Sequence, residues 1–334
     1  MALNRTAAAY LAYFAYIDQA LDTPNPSDFA QLLAQVPQGA ANGPWTLAWG
    51  PALNDGTLCY VAQGADGTYA VAFRGTNTDD EVTGWFQNIV EDGSASLVPW
   101  MYPSAGGTLM ITTGTNIALA LAIAATDPVT DMSLLDYLRG LTAAGPLELM
   151  VAGHSLGGAI AVAATGWLQD QLGKVAQATF TLWPHTFAAP TTWNKAFATW
   201  FATTFTYYAA VNGNDIVPMA WANLSTVANT YPSPYPSLYT QEYLLWLVIE
   251  AASAFDSDYA QIAANNPDPF LGTLSGGQTT WFEEAGLMHS MALQYFPHAT
   301  NNTTAPPLPH TTATSAPKPR VARRKRRVRL GSRA

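Results

Sequence analysis

Apolar positions along this chain follow the strand period in some segments and the helix period in others. Apolar runs predict strands over 57–63, 68–73, 147–152, 178–188 with an interruption near Pro184, and 205–212. Helical spacing predicts helices over 6–17, 29–36, 79–90, 116–126, 132–141, 193–201, within 244–262, and over 281–295. Strands that alternate with helices predict an α/β fold, with a mainly parallel central sheet and helices on both faces.

The first two strands differ from the others because only a short turn separates them. Residues 64–67 read Gly-Ala-Asp-Gly, and an Asp-Gly pair between apolar runs is typical of a β-hairpin. We therefore expect an antiparallel pair toward the leading edge of the sheet.

The third strand ends in a candidate nucleophile. Residues 147–152 form an apolar run, 153–158 read Gly-His-Ser-Leu-Gly-Gly, and an Ala-rich helical segment follows. A serine with glycines two residues to either side, between a strand and a helix, matches a nucleophile elbow. Such a turn exposes the hydroxyl of Ser155 at the carboxyl end of a central strand.

A serine needs a base, and the base needs a group that orients it. His289 in the last helix is the best base, and Asp215 just beyond the strand 205–212 is the best acid, in the chain order Ser, Asp, His of α/β-hydrolases. Asp215 as a simple turn cap remains the alternative. The other histidines are weaker candidates for the base. His154 and His185 are assigned structural roles, and His298 and His310 lie at or in the tail. Acidic residues with no strand immediately before them are weaker rivals: Asp256, Asp258, Asp268 and Glu283.

Charge is distributed unevenly. Residues 1–298 carry five Lys and Arg against 23 Asp and Glu, a balance of −18, whereas residues 299–334 carry nine basic residues and no acidic one. An acidic body argues against nucleic-acid binding by the folded part. We expect one domain over 1–297 and a disordered Pro/Thr-rich, basic tail over 298–334, either merely solvated or in contact with anionic surfaces.

The compartment follows less directly from the sequence. The N-terminal segment could be read as a signal peptide, but Tyr10, Phe14, Ile17 and Leu21 recur at helical spacing and no clear cleavage site follows. No apolar run reaches the length that crosses a bilayer. Cys59 is the only cysteine, which fits a reducing compartment. Together these features favour the cytoplasm slightly over secretion.

Several motifs together resemble the class 3 lipase family, the fungal-lipase-like branch of the α/β-hydrolases. They are Val-Ala-Phe-Arg-Gly-Thr at 71–76, Gly-His-Ser-Leu-Gly-Gly at 153–158, Thr-Phe-Ala-Ala-Pro at 186–190, Asn-Asp-Ile-Val-Pro at 214–218 and Met-His-Ser at 288–290. The resemblance covers about 57–296 and implies that Ser155, Asp215 and His289 are nucleophile, acid and base. It also implies oxyanion donors at the backbone of Thr76 and Leu156, and no metal or cofactor.

The resemblance places a lid at the helix predicted over 79–90. The Thr-x-x-Glu sequence at 78–81 matches a capping box, and the apolar face after it comprises Val82, Trp85, Phe86, Ile89 and Val90. A fixed helix packed on the body is the alternative. The tyrosine usual three residues after the family's catalytic histidine is here Ala292, with Tyr295 further on.

The sequence thus predicts hydrolysis of lipid carboxylic esters, by a triacylglycerol lipase or carboxylesterase that acts transiently at a lipid–water interface or on a small ester. An acyltransferase or a phospholipase A1-type esterase would use the same residues. A non-catalytic lipid-binding protein is a further alternative interpretation. Acyl-chain preference and oligomeric state are left open.

Overall fold

A computed structural model describes residues 4–17, 24–39, 41–76, 96–102, 108–231 and 258–308. Within them, seven strands form one sheet in the order β1-β2-β3-β6-β7-β8-β9, and β4 and β5 form a separate pair. The strands are β1 (Trp45–Asn54), β2 (Thr57–Gly64), β3 (Tyr69–Phe73), β4 (Leu97–Pro99), β5 (Met110–Thr112), β6 (Leu147–His154), β7 (Phe180–Phe187), β8 (Tyr208–Asn212) and β9 (Asn266–Phe270). From β3 to β9 every neighbouring pair in the large sheet is parallel, as predicted.

The predicted hairpin is β2 and β3, which pair antiparallel. Strand β1 pairs antiparallel with β2 and forms an edge that the apolar pattern does not predict. Gly50 and Pro51 lie in the middle of β1, where the register shifts, and such residues are typical of loops in a sequence. An edge strand tolerates them because its outer side needs no ladder of hydrogen bonds.

Two strands at the other side of the sheet, β7 and β9, contain prolines that make them hard to recognise in the sequence. Pro184 does not interrupt β7, since it precedes His185, the first residue of β7 that pairs with β8. Strand β9 was not predicted at all, because its sequence Asn-Pro-Asp-Pro-Phe has no apolar run. It pairs with β8 at the edge of the sheet, where residues without an N–H are tolerated.

Helices cover both faces of the sheet. They are α1 (Arg5–Phe14), α2 (Pro26–Leu33), α3 (Thr113–Ala124), α4 (Leu134–Ala144), α5 (Leu156–Leu172), α6 (Lys195–Thr204), α7 (Leu224–Asn229), α8 (Trp281–His289), a π-helix (Met291–Tyr295) and α9 (Phe296–Thr300). Helices α1, α2 and α9 share one apolar core with the sheet, and α3 to α6 share another. The N-terminal segment therefore forms the expected helix, and its side chains from Ala7 to Phe14 are buried.

The ordered body extends beyond the predicted boundary at 297. Ala299 is fully buried in the core that contains α1, and Ala305 and Leu308 pack against that core. The hydroxyl of Tyr13 donates to the carbonyl of Pro306 at 3.0 Å. Residues 298–308 lack the periodic apolar pattern that predicts an ordered element, but they bury individual small side chains against α1. The prediction of a disordered tail is wrong for these residues.

Some predicted segments lie outside the described residues. They are the candidate lid over 79–90, most of the helix predicted within 244–262, and the basic part of the tail. None of the helices in the described ranges combines the length and the apolar character that crossing a bilayer requires.

Candidate active site

The turn between β6 and α5 places Ser155 at the carboxyl end of a central strand. Ser155 has φ 58° and ψ −132°, a strained conformation for a residue with a side chain. A Cβ at Gly153 would overlap the backbone of Gly157, and a Cβ at Gly157 would overlap the carbonyl of Phe73. The turn can therefore form only with glycine at both positions, which is the physical content of the elbow motif.

The structure brings Ser155, His289 and Asp215 together. The Oγ of Ser155 lies 2.8 Å from Nε2 of His289, and Nδ1 of His289 lies 2.8 Å from Oδ2 of Asp215. All three side chains are buried. Ser155 and Asp215 follow β6 and β8, while His289 is the last residue of α8, so three separate elements supply the set.

Both carboxylate oxygens of Asp215 accept hydrogen bonds. Oδ1 accepts a hydrogen bond from the backbone N–H of Val217 at 2.9 Å, and Oδ2 accepts one from the hydroxyl of Tyr295 at 2.6 Å as well as the one from His289. Burial, and then the negative charge of Asp215, hold the pKa of Tyr295 well above its usual value, so its hydroxyl remains a donor. Asp215 is therefore an oriented acceptor and not a simple turn cap.

Tyr295 stands out in the sequence only as a departure from the family's spacing. It ends the π-helix that follows His289, and this geometry delivers its hydroxyl to Asp215 from six positions after the histidine. A π-helix is rare and has no reliable sequence pattern, although it recurs at functional sites. The contact could not be predicted from residue spacing.

Asn212 is a second residue of the site that sequence reasoning missed. Its side-chain amide donates to the carbonyl of Met288 at 2.9 Å, and its amide oxygen accepts from the backbone N–H groups of Asn214 and Gly272 at 3.0 and 2.8 Å. Asn212 thus joins the end of β8, the loop that carries Asp215 and the end of α8. A buried asparagine at a strand end gives no sequence pattern that distinguishes this role.

The remaining acidic rivals and histidines lie elsewhere or have other partners. Asp268 accepts from the hydroxyl of Tyr208 and pairs with Arg5, and Glu283 belongs to the capping box of α8. Asp256 lies outside the described residues, and the backbone carbonyl of Asp258 accepts a hydrogen bond from the backbone N–H of Lys195, the first residue of α6. Burial lowers the pKa of His185 to about 4, and its Nδ1 lies 2.9 Å from the carbonyl of Trp183, as expected of a core histidine.

The two candidate oxyanion donors are the backbone N–H groups of Leu156 and Thr76. Leu156 is the first residue of α5, and the first N–H groups of a helix have no acceptor within it. Thr76 follows Gly75, whose Cβ, if present, would lie 3.1 Å from the Cβ of Ser155 and would overlap the hydroxyl of Tyr16. Leu156 thus adjoins the nucleophile in sequence, and Thr76 follows a residue that lies close to it. The lid candidates Val82, Trp85, Phe86, Ile89 and Val90 lie outside the described residues.

His154 faces away from the serine hydroxyl. Its Nδ1 lies 2.7 Å from the hydroxyl of Tyr16, and its Nε2 lies 2.8 Å from the backbone carbonyl of His289. Burial, and then the charge of His289, hold the pKa of His154 well below its usual value, so the ring is neutral. The sequence-based assignment of a structural role agrees with these contacts.

The sheet order, the elbow and the crossing helices define an α/β-hydrolase fold. The crystal structure of M37 lipase aligns over 90% of this chain and 93% of its own, with 24% identity and a TM-score of 0.72. Lipases of Rhizomucor miehei, in a propeptide complex, and of Rhizopus microsporus var. chinensis align over 65% of this chain and 62% and 67% of theirs, with 20% and 19% identity. Their TM-scores are 0.44 and 0.45.

A family model also matches part of the sequence. Residues 70–224 match the family model described as Lipase (class 3), which confirms the resemblance that the motifs indicated. A comparison with curated proteins found no match. The chain is accordingly a hydrolase that acts on esters, with lipid esters as the substrate class of the family it matches.

Proposed function

We propose that this protein hydrolyses carboxylic esters of lipids through an acyl-enzyme on Ser155, as a triacylglycerol lipase or carboxylesterase. The observation that carries the proposal is the continuous hydrogen-bonded chain from Ser155 through His289 to Asp215, with 2.8 Å at each step. A nucleophile within reach of a base, which is itself oriented by a carboxylate, is the arrangement that acyl transfer to serine requires.

Each proton in the proposed reaction has a defined path. As Oγ of Ser155 attacks the ester carbonyl, its proton moves to Nε2 of His289, and the same nitrogen then protonates the leaving alcohol. His289 next takes a proton from water, whose oxygen attacks the acyl-enzyme, and returns that proton to Ser155 as the acid leaves. Throughout, Oδ2 of Asp215 accepts the Nδ1–H and thereby holds the reactive tautomer.

The backbone N–H groups of Thr76 and Leu156 are proposed to bind the oxyanion. The N–H of Leu156 lies at the N-terminus of α5, where the positive end of the helix dipole favours an anion. Each such donor contributes roughly 10²- to 10³-fold in rate to reactions of this kind.

A p-nitrophenyl ester series tests the proposed function. We expect hydrolysis from short to long acyl chains, with and without detergent micelles, and stoichiometric labelling of Ser155 by a fluorophosphonate. Adding an alcohol as competing acceptor separates hydrolysis from acyl transfer, since hydrolysis predicts free acid as the main product. Labelling at a different serine, or no turnover across the series, would refute the proposal.

The helix predicted over 79–90 is proposed to be a lid. Burial of its apolar side chains contributes roughly 1.5 to 3 kcal/mol each when complete, and a lipid surface offers the same face another apolar partner. Activity on an emulsified long-chain ester should therefore rise steeply above the solubility limit. We expect Trp85→Ser to weaken that rise more than it weakens hydrolysis of dissolved p-nitrophenyl acetate. Equal effects on both substrates would indicate a fixed helix.

The basic residues beyond 308 are proposed to attract the protein to anionic lipid. All nine lie between Lys318 and Arg333, and each contributes roughly 1 kcal/mol near an anionic surface. We expect salt-sensitive binding to phosphatidylserine vesicles that is lost on truncation after Leu308, with an unchanged melting temperature. Truncation after Pro297 should instead lower the melting temperature, because it also removes buried Ala299. Equal vesicle binding by the full chain and the Leu308 truncation would contradict this role.

A further inference from the structure

The backbone carbonyl of His289 lies at the end of a helix and needs an external donor. The last carbonyl groups of a helix have no partner within it, and His289 is the last residue of α8. Nε2 of His154 lies 2.8 Å from this carbonyl oxygen. The backbone that carries the base is thus tied to the strand that carries the nucleophile, one residue before Ser155.

The partners of His154 determine which of its nitrogens carries the proton. A carbonyl oxygen only accepts, so Nε2 must be protonated and donate to His289. Nδ1 of the neutral ring is then an acceptor, and the hydroxyl of Tyr16 donates to it at 2.7 Å. Tyr16 therefore reinforces the tautomer in which His154 donates to the carbonyl of His289.

Tyr16 comes from the N-terminal segment, just after α1, and its side chain is 6% exposed. Its hydroxyl occupies the space where a Cβ of Gly75 would lie, and it is 3.5 Å from the carbonyl of His154. One hydroxyl thus lies against the turn before Ser155 and against the Arg-Gly-Thr segment, residues 74–76, that follows β3.

We propose that Tyr16 is a positioning residue for the reaction, which acts through His154 on the backbone of His289. This inference rests on the proposed function of Ser155, His289 and Asp215. Without the donor at Tyr16, the proton of His154 can move to Nδ1, and a lone pair of Nε2 then faces the carbonyl oxygen of His289. That repulsion displaces the base, and small displacements of a catalytic group are costly to turnover.

Tyr16→Phe tests this role by removing only the hydroxyl. We expect kcat to fall about tenfold, because a displaced base stabilises the transition state less well, with KM changed less than about twofold. The downfield proton resonance of Nδ1–H of His289 should shift or broaden. The matched control is Tyr60→Phe, because the buried hydroxyl of Tyr60 also bonds the N-terminal helix, at 2.7 Å from the carbonyl of Leu11, without touching His289. It should lower stability similarly while kcat and the resonance stay unchanged.

Variants of His154 test the route of the effect. In a His154→Leu background, Tyr16→Phe should cause no further loss of kcat, since both residues act on the same carbonyl. His154→Gln can keep a donor toward His289 and should retain most of the kcat that His154→Leu loses. If Tyr16→Phe fails to fold, this comparison still tests whether the donor at position 154 positions His289.

Two outcomes would overturn the inference: Tyr16→Phe indistinguishable from Tyr60→Phe in kcat and resonance, or His154→Gln as inactive as His154→Leu in folded protein. Either result leaves Ser155-dependent hydrolysis by the wild type intact, so the proposed function would stand. Conversely, a wild type that is not labelled at Ser155 would refute the proposed function itself.

Discussion

Ser155→Ala is expected to abolish ester hydrolysis, with a loss of about 10⁵- to 10⁶-fold, because no covalent intermediate can form. The fold should survive, since alanine is small and the turn around 153–158 depends on its glycines and not on the hydroxyl. The measurement is kcat on a soluble p-nitrophenyl ester together with the melting temperature.

The control for this variant is Ser133→Ala. Ser133 caps the N-terminus of α4 through the N–H of Asp136 and is remote in sequence from the elbow, so its replacement should cost stability but little activity. His289→Ala should lose activity as Ser155→Ala does, and the double variant should lose no more, because the residues act as one unit. Full activity in Ser155→Ala would exclude the assigned nucleophile.

Asp215→Asn is expected to lower kcat by about 10⁴-fold while the fold is retained. Asp215 accepts from Val217, His289 and Tyr295, and an amide must replace one of its oxygens by a donor. Either orientation then sets a donor against a donor. If the amide NH₂ faces His289, it donates to Nδ1 and favours the wrong imidazole tautomer.

Asp268→Asn is the matched control for this change. Asp268 also accepts from a tyrosine hydroxyl, that of Tyr208 in β8, and lies 2.9 Å from Nε2 of a histidine, His298 in α9. These contacts do not include Ser155. It should lower the melting temperature and leave kcat nearly unchanged. If both asparagine variants affect kcat alike, Asp215 is a structural residue.

The sequence by itself determined the parts of this protein that depend on local geometry. The glycines around Ser155 are required by overlaps within one turn and with the adjacent strand, so the motif is recognisable in the sequence alone. The strand-helix alternation likewise predicted the parallel sheet and both helical faces. Asp215 and His289 could be selected because few residues of their type follow the elbow in suitable positions.

Only the tertiary structure decided which groups hold these residues in place. Tyr16 and Tyr295 reach the site from the N-terminal segment and from a π-helix, and neither sequence spacing nor propensity indicates such approaches. Strands β1 and β9 were missed because proline and glycine are tolerated at a sheet edge, and a residue becomes an edge residue only when its neighbours have paired. Contacts between distant segments depend on the packed chain as a whole, and local patterns do not encode them.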